Sequence, residues 1–225
     1  MDIRVAVLVD GAFFLRRYKK VVPNAHSLSA KDLADNFYTM CMKHIKDEDY
    51  LYRILYYDCK PLSKKAHNPI TKKAIDYSKT DQAKFRNDFF NELKRLRKVA
   101  LRLGYIKTTN NWLINPKKTK QLLSGKIKIK DLAENDVFFE MQQKSVDMKI
   151  GLDIASLAIK KAVNKIILIS GDGDFIPAAK LARREGIDFV LDPMWNNIDP
   201  SLFEHIDGLK STIRKPSNIT SYSKP

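Results

Sequence analysis

Short apolar runs alternate along this chain with segments whose apolar residues recur at helical spacing. Residues 5–9 (VAVLV), 50–57 and 166–170 (IILIS) are rich in β-branched or aromatic residues, a pattern typical of strands buried on both faces of a sheet. Residues 105–109 and 187–191 predict two further strands. Strands that alternate with helices favour an α/β fold, a mostly parallel central sheet of about five strands flanked by helices. Ligands of such sheets bind beyond the carboxyl ends of the strands.

The helical segments share apolar residues at three- and four-residue steps, which form one buried face of an amphipathic helix. Gly104 and Gly186 follow two of these segments and are typical of positions where helices stop. The segment before Gly104 carries many basic residues, so we expect its helix to have a basic outer face. The predicted helices are residues 30–44, 80–103, 146–162, 175–185 and 201–206.

Two stretches lack a clear pattern of this kind. Residues 60–79 are polar and lysine-rich with two prolines, and they predict a mobile loop or lid. Residues 110–130 contain a possible hairpin turn at Asn110-Asn111 and a short alternation of Ile and Lys, which leaves their structure open. We therefore expect one domain over residues 1–209, with a basic insertion at about 60–80, and a basic polar tail over residues 210–225.

Composition narrows the class of protein. With 225 residues, of which 44% are hydrophobic, the chain can bury a sizeable core. No apolar run approaches the roughly 20 residues of a membrane helix, and the start of the chain lacks a signal pattern, so we expect a soluble, cytoplasmic protein with no membrane partner. Cys41 and Cys59 match neither a disulfide framework nor a zinc site, and we expect them to be packing thiols.

The positive charge is concentrated in one part of the chain. The net charge is +15, and residues 60–130 hold 20 Lys or Arg against four Asp or Glu, so that segment carries +16 and the rest −1. A one-sided basic surface favours an anionic partner such as RNA, although a solubilising surface remains an alternative. Aromatic residues in the segment could stack bases where they are exposed. The candidate nucleic-acid contacts are Lys94, Arg97, Lys98, Arg102 and Lys107.

Aspartates supply the candidate chemistry. Asp10 and Asp172 each follow a buried strand and stand beside glycine, where the backbone can turn sharply. If residues 172–174 are extended, Asp172 and Asp174 project to the same side. Carboxylates that share a crevice raise one another's pKa or require a cation, and oxygen ligands favour Mg²⁺ or Mn²⁺. Each aspartate alone has an ordinary explanation: a turn for Asp10, a helix cap for Asp147.

Three motifs together resemble the NYN domain family: Val9-Asp10-Gly11 after the first strand, Lys144-Ser-Val-Asp147 at the start of a helix, and Ser170-Gly-Asp-Gly-Asp-Phe175 after a later strand. The resemblance spans roughly residues 3–207. It implies a PIN-like fold, related to the PIN and FLAP nucleases, with an acidic site that holds Mg²⁺ or Mn²⁺ and cuts RNA. Position by position, the family's acidic residues match Asp10, Asp147, Asp172 and Asp174.

Three further residues are second-rank candidates. Asp153 matches a recurrent acid of the family but lies 600° from Asp147 around a helix, equivalent to 240°, so the two should face different ways. A salt bridge is an equally good interpretation of it. Ser170 would hydrogen-bond a carboxylate or phosphate, or cap a turn, and Lys144 would contact phosphate or lie free on the surface.

One departure from the family keeps alternatives open. Many members have asparagine shortly after the first Asp-Gly, whereas this chain has Ala12, Phe13 and Phe14. The leading hypothesis is a metal-dependent endoribonuclease, and the alternative is a catalytically weakened RNA-binding or scaffold protein on the same fold. A phosphohydrolase of the aspartyl type is disfavoured, because it needs a second aspartate where Ala12 stands.

Overall fold

The computed structural model describes residues 3–216 and confirms the α/β fold with a mostly parallel sheet. The sheet has seven strands, and all neighbours are parallel except at one edge. The two strands beyond the five predicted are only two and three residues long, too short for a hydrophobic pattern to reveal. Across the sheet, the strands are β11 (Gly208–Leu209), β10 (Asp188–Asp192), β9 (Lys165–Ile169), β1 (Ile3–Asp10), β2 (Asp49–Cys59), β5 (Val99–Lys107) and the antiparallel β8 (Gln142–Lys144).

Helices cover both faces of the sheet. Along β1, Val5, Val7 and Val9 point into one core, whereas Ala6 and Leu8 point into the other, as the two-residue period of a strand requires. The helices are α1 (Gly11–Val21), α2 (Ala30–Met42), α3 (Asp81–Arg95), α4 (Pro116–Leu123), α5 (Val146–Ile159), α6 (Ile176–Arg184) and α7 (Pro200–Phe203). The first core is closed by α1, α2 and α3, and the second by α5 and α6.

Helix α1 was missed by the hydrophobic pattern, because its apolar residues continue directly from those of β1. Its first residue, Gly11, lies against β2: a Cβ atom there would stand 2.5 Å from Cζ and Oη of Tyr56 and 2.6 Å from the carbonyl oxygen of Tyr57. Only glycine allows the chain to turn from strand to helix this close to the neighbouring strand.

The helix predicted over residues 80–103 is wrong in its last third. Helix α3 ends at Arg95, Lys98 adopts the left-handed φ of 62° that reverses the chain, and β5 begins at Val99. Apolar residues that match helical spacing there by coincidence instead pair with β2. The predicted strand at 105–109 overlaps the end of this longer strand.

The loop predicted over residues 60–79 is also wrong, because this segment contains regular structure and packs. Strands β3 (Lys65–His67) and β4 (Ala74–Asp76) form an antiparallel hairpin, and β6 (Trp112–Ile114) pairs with β7 (Val137–Phe139). The two ribbons meet where the ring of Tyr77 stacks on Phe139 at 5.4 Å, with Trp112 edge-on to Phe139 at the same distance. We call residues 60–80 and 110–141 the accessory lobe.

The predicted polar tail begins inside the fold rather than beyond it. Asp192, fully buried at the end of β10, accepts hydrogen bonds from Met194 N at 2.7 Å and from Ser211 Oγ at 2.9 Å, and it pairs with His44 Nε2 at 2.9 Å. The tail also contacts the last turn of α2, where Thr212 Oγ1 donates a hydrogen bond to the carbonyl oxygen of Met40 at 3.0 Å. Residues 217–225 of that prediction lie outside the described part of the chain. Within residues 3–216, no helix is long and apolar enough to cross a membrane.

The close approach at Gly11 predicts a marked loss of stability for Gly11→Ala. Neither the buried Tyr56 ring nor the backbone oxygen of Tyr57 can withdraw, so we expect a loss of about 1–3 kcal/mol in the free energy of unfolding by urea, the usual cost of overpacking. The matched control is Gly151→Ala in the interior of α5, where a Cβ meets no atom within 4 Å. It should gain about 0.5–1 kcal/mol. Equal effects of the two substitutions would contradict this account.

Candidate acidic site

Three neighbouring strands end at one level and bring their following residues to the same edge of the sheet. Val9 of β1 pairs with Ile169 at the end of β9, and Asp10 pairs with Tyr57 near the end of β2. The chain that leaves β9 continues directly to Ser170 and the Gly-Asp-Gly-Asp turn. This carboxyl edge is where a parallel sheet presents its ligand-binding residues.

Asp10 is partly buried at this edge and caps helix α1. Its Oδ1 accepts a hydrogen bond from Phe13 N at 3.1 Å. Burial raises the pKa of Asp10 from 3.8 to about 6, against the lowering effect of the backbone N–H groups of Phe13 and Ala12. The negative charges of Asp147 and Asp58 contribute to this rise. Asp10 therefore lies within electrostatic reach of two other carboxylates.

Asp147 connects Asp10 with the turn that follows β9. It is the second residue of α5 and lies at an exposed position. Partial desolvation by the surrounding protein is nevertheless the largest cause that raises its pKa, and the negative charges of Asp172 and Asp174 raise the pKa as well. The four aspartates of the family motif thus form one electrostatically coupled group. Its members lie on β1, on α5 and in the turn after β9.

The turn after β9 differs from the extended segment considered from the sequence. Gly173–Phe175 is a 3₁₀ turn, capped by Asp172, whose Oδ1 accepts a hydrogen bond from Asp174 N at 3.1 Å. Asp172 and Asp174 are both exposed. Their carboxylates therefore project from successive corners of a turn rather than from one side of a strand.

The donor chemistry of this group fits a hard divalent cation, because all four side chains offer carboxylate oxygens. Their spacing is wider than a closed site, however. Over residues 3–216, no three Asp, Glu, His or Cys side chains stand close enough together to hold a metal ion. The four carboxylates therefore stand apart at the carboxyl edge of the sheet and do not form a complete coordination shell.

Asp58 and Arg86 belong to the same region, although the sequence pattern indicated a role for neither. Asp58 is fully buried near the end of β2, and its Oδ2 binds the Arg86 guanidinium and accepts a hydrogen bond from Tyr56 Oη at 3.1 Å. Burial raises the pKa of Asp58, and the positive charge of Arg86 opposes that rise. Only one signal could have indicated Asp58, its position after an apolar strand like that of Asp10. It lacks the adjacent glycine, and Arg86 was hidden among many basic residues.

The second-rank residues lie outside the coupled group or at its margin. Asp153 accepts a hydrogen bond from Tyr57 Oη at 2.8 Å and binds Arg102 through both carboxylate oxygens, at 3.0 and 3.1 Å. This is the salt-bridge interpretation of Asp153. Ser170 is fully buried and accepts from Asp172 N at 3.4 Å, as a turn cap does. Lys144 is exposed on the edge strand β8.

The five basic residues proposed for nucleic-acid contact do not share a helix face. Lys94 lies at the end of α3, and Arg97 lies in the turn that follows. The ammonium of Lys98 lies 3.7 Å above the centre of the Tyr50 ring. Arg102, on β5, forms a salt bridge with Asp153 of α5. Lys107 is exposed at the end of β5. The set is therefore distributed over the end of α3, the turn that follows it and β5, rather than along one helix.

Comparison with known proteins gives one family and one structure. The sequence model of the NYN domain matches residues 4–196. No curated protein matches the chain. A crystal structure of a protein of unknown function from Vibrio parahaemolyticus aligns with 92% of this chain and 91% of its own, at 14% identity and a TM-score of 0.48. That degree of similarity supports no functional argument.

The raised pKa of Asp10 predicts a pH-dependent effect of Asp10→Asn. The folded state binds the Asp10 proton more tightly than the unfolded state, so ionisation destabilises the fold progressively from about pH 4 to pH 6, and the penalty is complete above that range. Asparagine retains the helix cap without the charge. The free energy of unfolding of the variant should therefore equal that of the parent near pH 4 and exceed it by at most ~3 kcal/mol near pH 8.

Urea unfolding in EDTA at the two pH values measures this difference on the metal-free protein. Asp35→Asn, at an exposed position on α2, is the matched control and should show little pH-dependent change. A stability difference for Asp10→Asn that is the same at both pH values would contradict the raised pKa.

Proposed function

Because the chain belongs to the NYN domain family, we propose that it is a metal-dependent endoribonuclease that hydrolyses RNA phosphodiester bonds. The family is nuclease-like in fold. The single observation that carries the proposal is the coupling of Asp10, Asp147, Asp172 and Asp174 at the carboxyl edge of the sheet, expressed in the raised pKa values of Asp10 and Asp147. Groups whose pKa values are shifted by burial and by like charges are typical of functional sites.

These four aspartates are the residues that would hold Mg²⁺ or Mn²⁺. Burial chiefly raises the pKa values of Asp10 and Asp147, and neighbouring carboxylates add to the rise; a cation among the four side chains would offset both effects by stabilising the ionised carboxylates. When bound, such an ion supplies Lewis-acid polarisation of the phosphoryl group and activation of water. Because the ion competes with the proton on Asp10, its affinity should increase as pH rises toward 6.

The chain's own residues have separate tasks. The Phe13 N–H, in the first turn of α1, donates to the Asp10 carboxylate and holds it at the carboxyl edge of the sheet. Arg86 retains a partly exposed guanidinium beside the buried Asp58, and its remaining N–H groups suit a phosphate oxygen of the substrate. The basic residues between positions 60 and 130 would attract the RNA backbone, so binding should weaken steeply with salt.

A catalytically weakened RNA-binding protein is the second candidate, and one observation favours it. Phe13 is buried, and its ring lies 2.7 Å from the place of a Cβ on Gly171, so an apolar ring occupies the space between the end of β1 and the turn after β9. Such a ring offers no polar group to water or substrate. This candidate predicts RNA binding without turnover.

Cleavage assays with single-stranded and structured RNA distinguish the two candidates. The nuclease proposal predicts cleavage by the purified protein in Mn²⁺ or Mg²⁺, none in EDTA, and a loss of at least ~100-fold for Asp172→Asn, equivalent to about 2.7 kcal/mol in the activation barrier. Asp35→Asn should cleave at the parent rate.

Two other outcomes are informative. Equal cleavage by the parent protein and by Asp172→Asn, with or without EDTA, would identify a contaminating nuclease. Salt-sensitive RNA binding with no cleavage in either metal, unchanged in Asp172→Asn, would establish the second candidate and overturn the first.

A further inference from the structure

The accessory lobe contains an aromatic-lined cavity that the proposed reaction does not use. Its volume is about 660 Å³, within the range of small-molecule sites. Tyr77 and Trp112, which pack on Phe139, form part of its lining. Phe138, on the neighbouring position of β7, also lines it and remains 46% exposed. Exposed and half-exposed rings around one concavity are the features on which nucleobases stack.

The polar rim of this cavity suits a base better than a phosphate. Glu134 and Glu140 are among its lining residues, and carboxylates repel a phosphate group but accept hydrogen bonds from the amino groups of bases. Asn135 and Gln142 add amide groups that can both donate and accept. The cavity thus combines stacking surfaces with hydrogen-bonding groups that can meet a base edge.

A second cavity adjoins the aromatic cavity and reaches Arg86. Its volume is about 110 Å³, it is lined by Arg86 and Cys59, and it shares Tyr77 and Met141 with the aromatic cavity. Arg86 is the residue that binds Asp58, whose charge acts on Asp10. A strand whose scissile phosphate lies at the aspartates would therefore pass Arg86 on the way to the accessory lobe.

The charge around this route complements a polyanion. Residues 60–130 carry a net charge of +16. They include most of the accessory lobe and also α3 and β5. The ammonium of Lys64 lies 6.0 Å from the centre of the Phe139 ring. A nucleic acid strand satisfies both features, because its backbone is anionic and its bases are flat and aromatic.

We infer that the accessory-lobe cavity binds an unpaired nucleobase of an RNA strand whose backbone continues past Arg86 to the acidic site. This inference rests on the proposed function, since it extends the substrate of the same site. It makes the enzyme selective for single-stranded or looped RNA, because a base within a duplex is stacked and cannot enter the cavity.

The test measures binding in EDTA, where no cleavage interferes. The probes are a single-stranded oligoribonucleotide of about ten residues that carries 2-aminopurine, and an abasic oligomer of the same length and charge. Phe138→Ala should weaken binding of the first probe about tenfold and leave the second unchanged, since stacking needs a base. Binding to the parent protein should quench the 2-aminopurine fluorescence, and Phe138→Tyr should retain both the affinity and the quenching.

Tyr52→Ala is the matched control, because Tyr52 is an exposed aromatic near the opposite end of β2 and should affect neither probe. Unchanged binding by Phe138→Ala would overturn the inference. So would an equal loss for the abasic oligomer, or fluorescence that does not respond to binding, as expected of a cavity for a protein partner. If base-dependent binding is found but no metal supports cleavage, the proposed nuclease function fails while the base-binding cavity stands.

Discussion

Repulsion among carboxylates at one edge of a parallel sheet is the constraint on which this structure depends. β1, β2 and β9 are parallel neighbours, so the residues that follow them lie at the same edge of the sheet. The fold relieves part of the resulting charge with its own groups. Arg86 neutralises the buried Asp58, and the first turn of α1 donates to Asp10. Solvent screens Asp147 and its neighbours, which lie at exposed positions. Burial is the main cause of the raised pKa of Asp10, and the negative charges of Asp147 and Asp58 add to it.

Tight packing beneath the carboxylates determines where they can lie. Gly11 permits α1 to start against Tyr56, and this contact sets the direction in which Asp10 leaves β1. Phe13, on the same helix, fills the space beside Gly171, where a Cβ would stand 2.7 Å from its ring. The two glycines and the two aromatic side chains thus fix the relation between the end of β1 and the turn that carries Asp172. The more exposed side chains of that turn retain rotamer freedom with which to adjust to a cation.

Sequence patterns predicted most of what is buried and continuous. Strands such as residues 5–9 and 166–170 were evident because a parallel strand buried on both faces must be apolar throughout. The break between α3 and β5 was missed, because it depends on a left-handed turn at Lys98 and on pairing with a distant strand. The accessory lobe was missed for a related reason, since its local sequence is polar and its packing joins Tyr77 to Phe139, 62 residues later. Motifs and strand ends located the aspartates of the candidate site, but a buried ion pair such as that of Asp58 leaves no local pattern.

The most direct test of the central claim, that the strand-end aspartates form a divalent-cation site, is a crystal structure of the protein soaked in Mn²⁺, with the ion identified by its anomalous scattering. We expect Mn²⁺ between these aspartates, with oxygens from at least two of Asp10, Asp147, Asp172 and Asp174 at roughly 2.0–2.3 Å. The side chains that bind the ion should have moved closer together than they are without it. Mn²⁺ bound only elsewhere on the molecule at saturating concentration, with the four carboxylates still apart, would contradict the account.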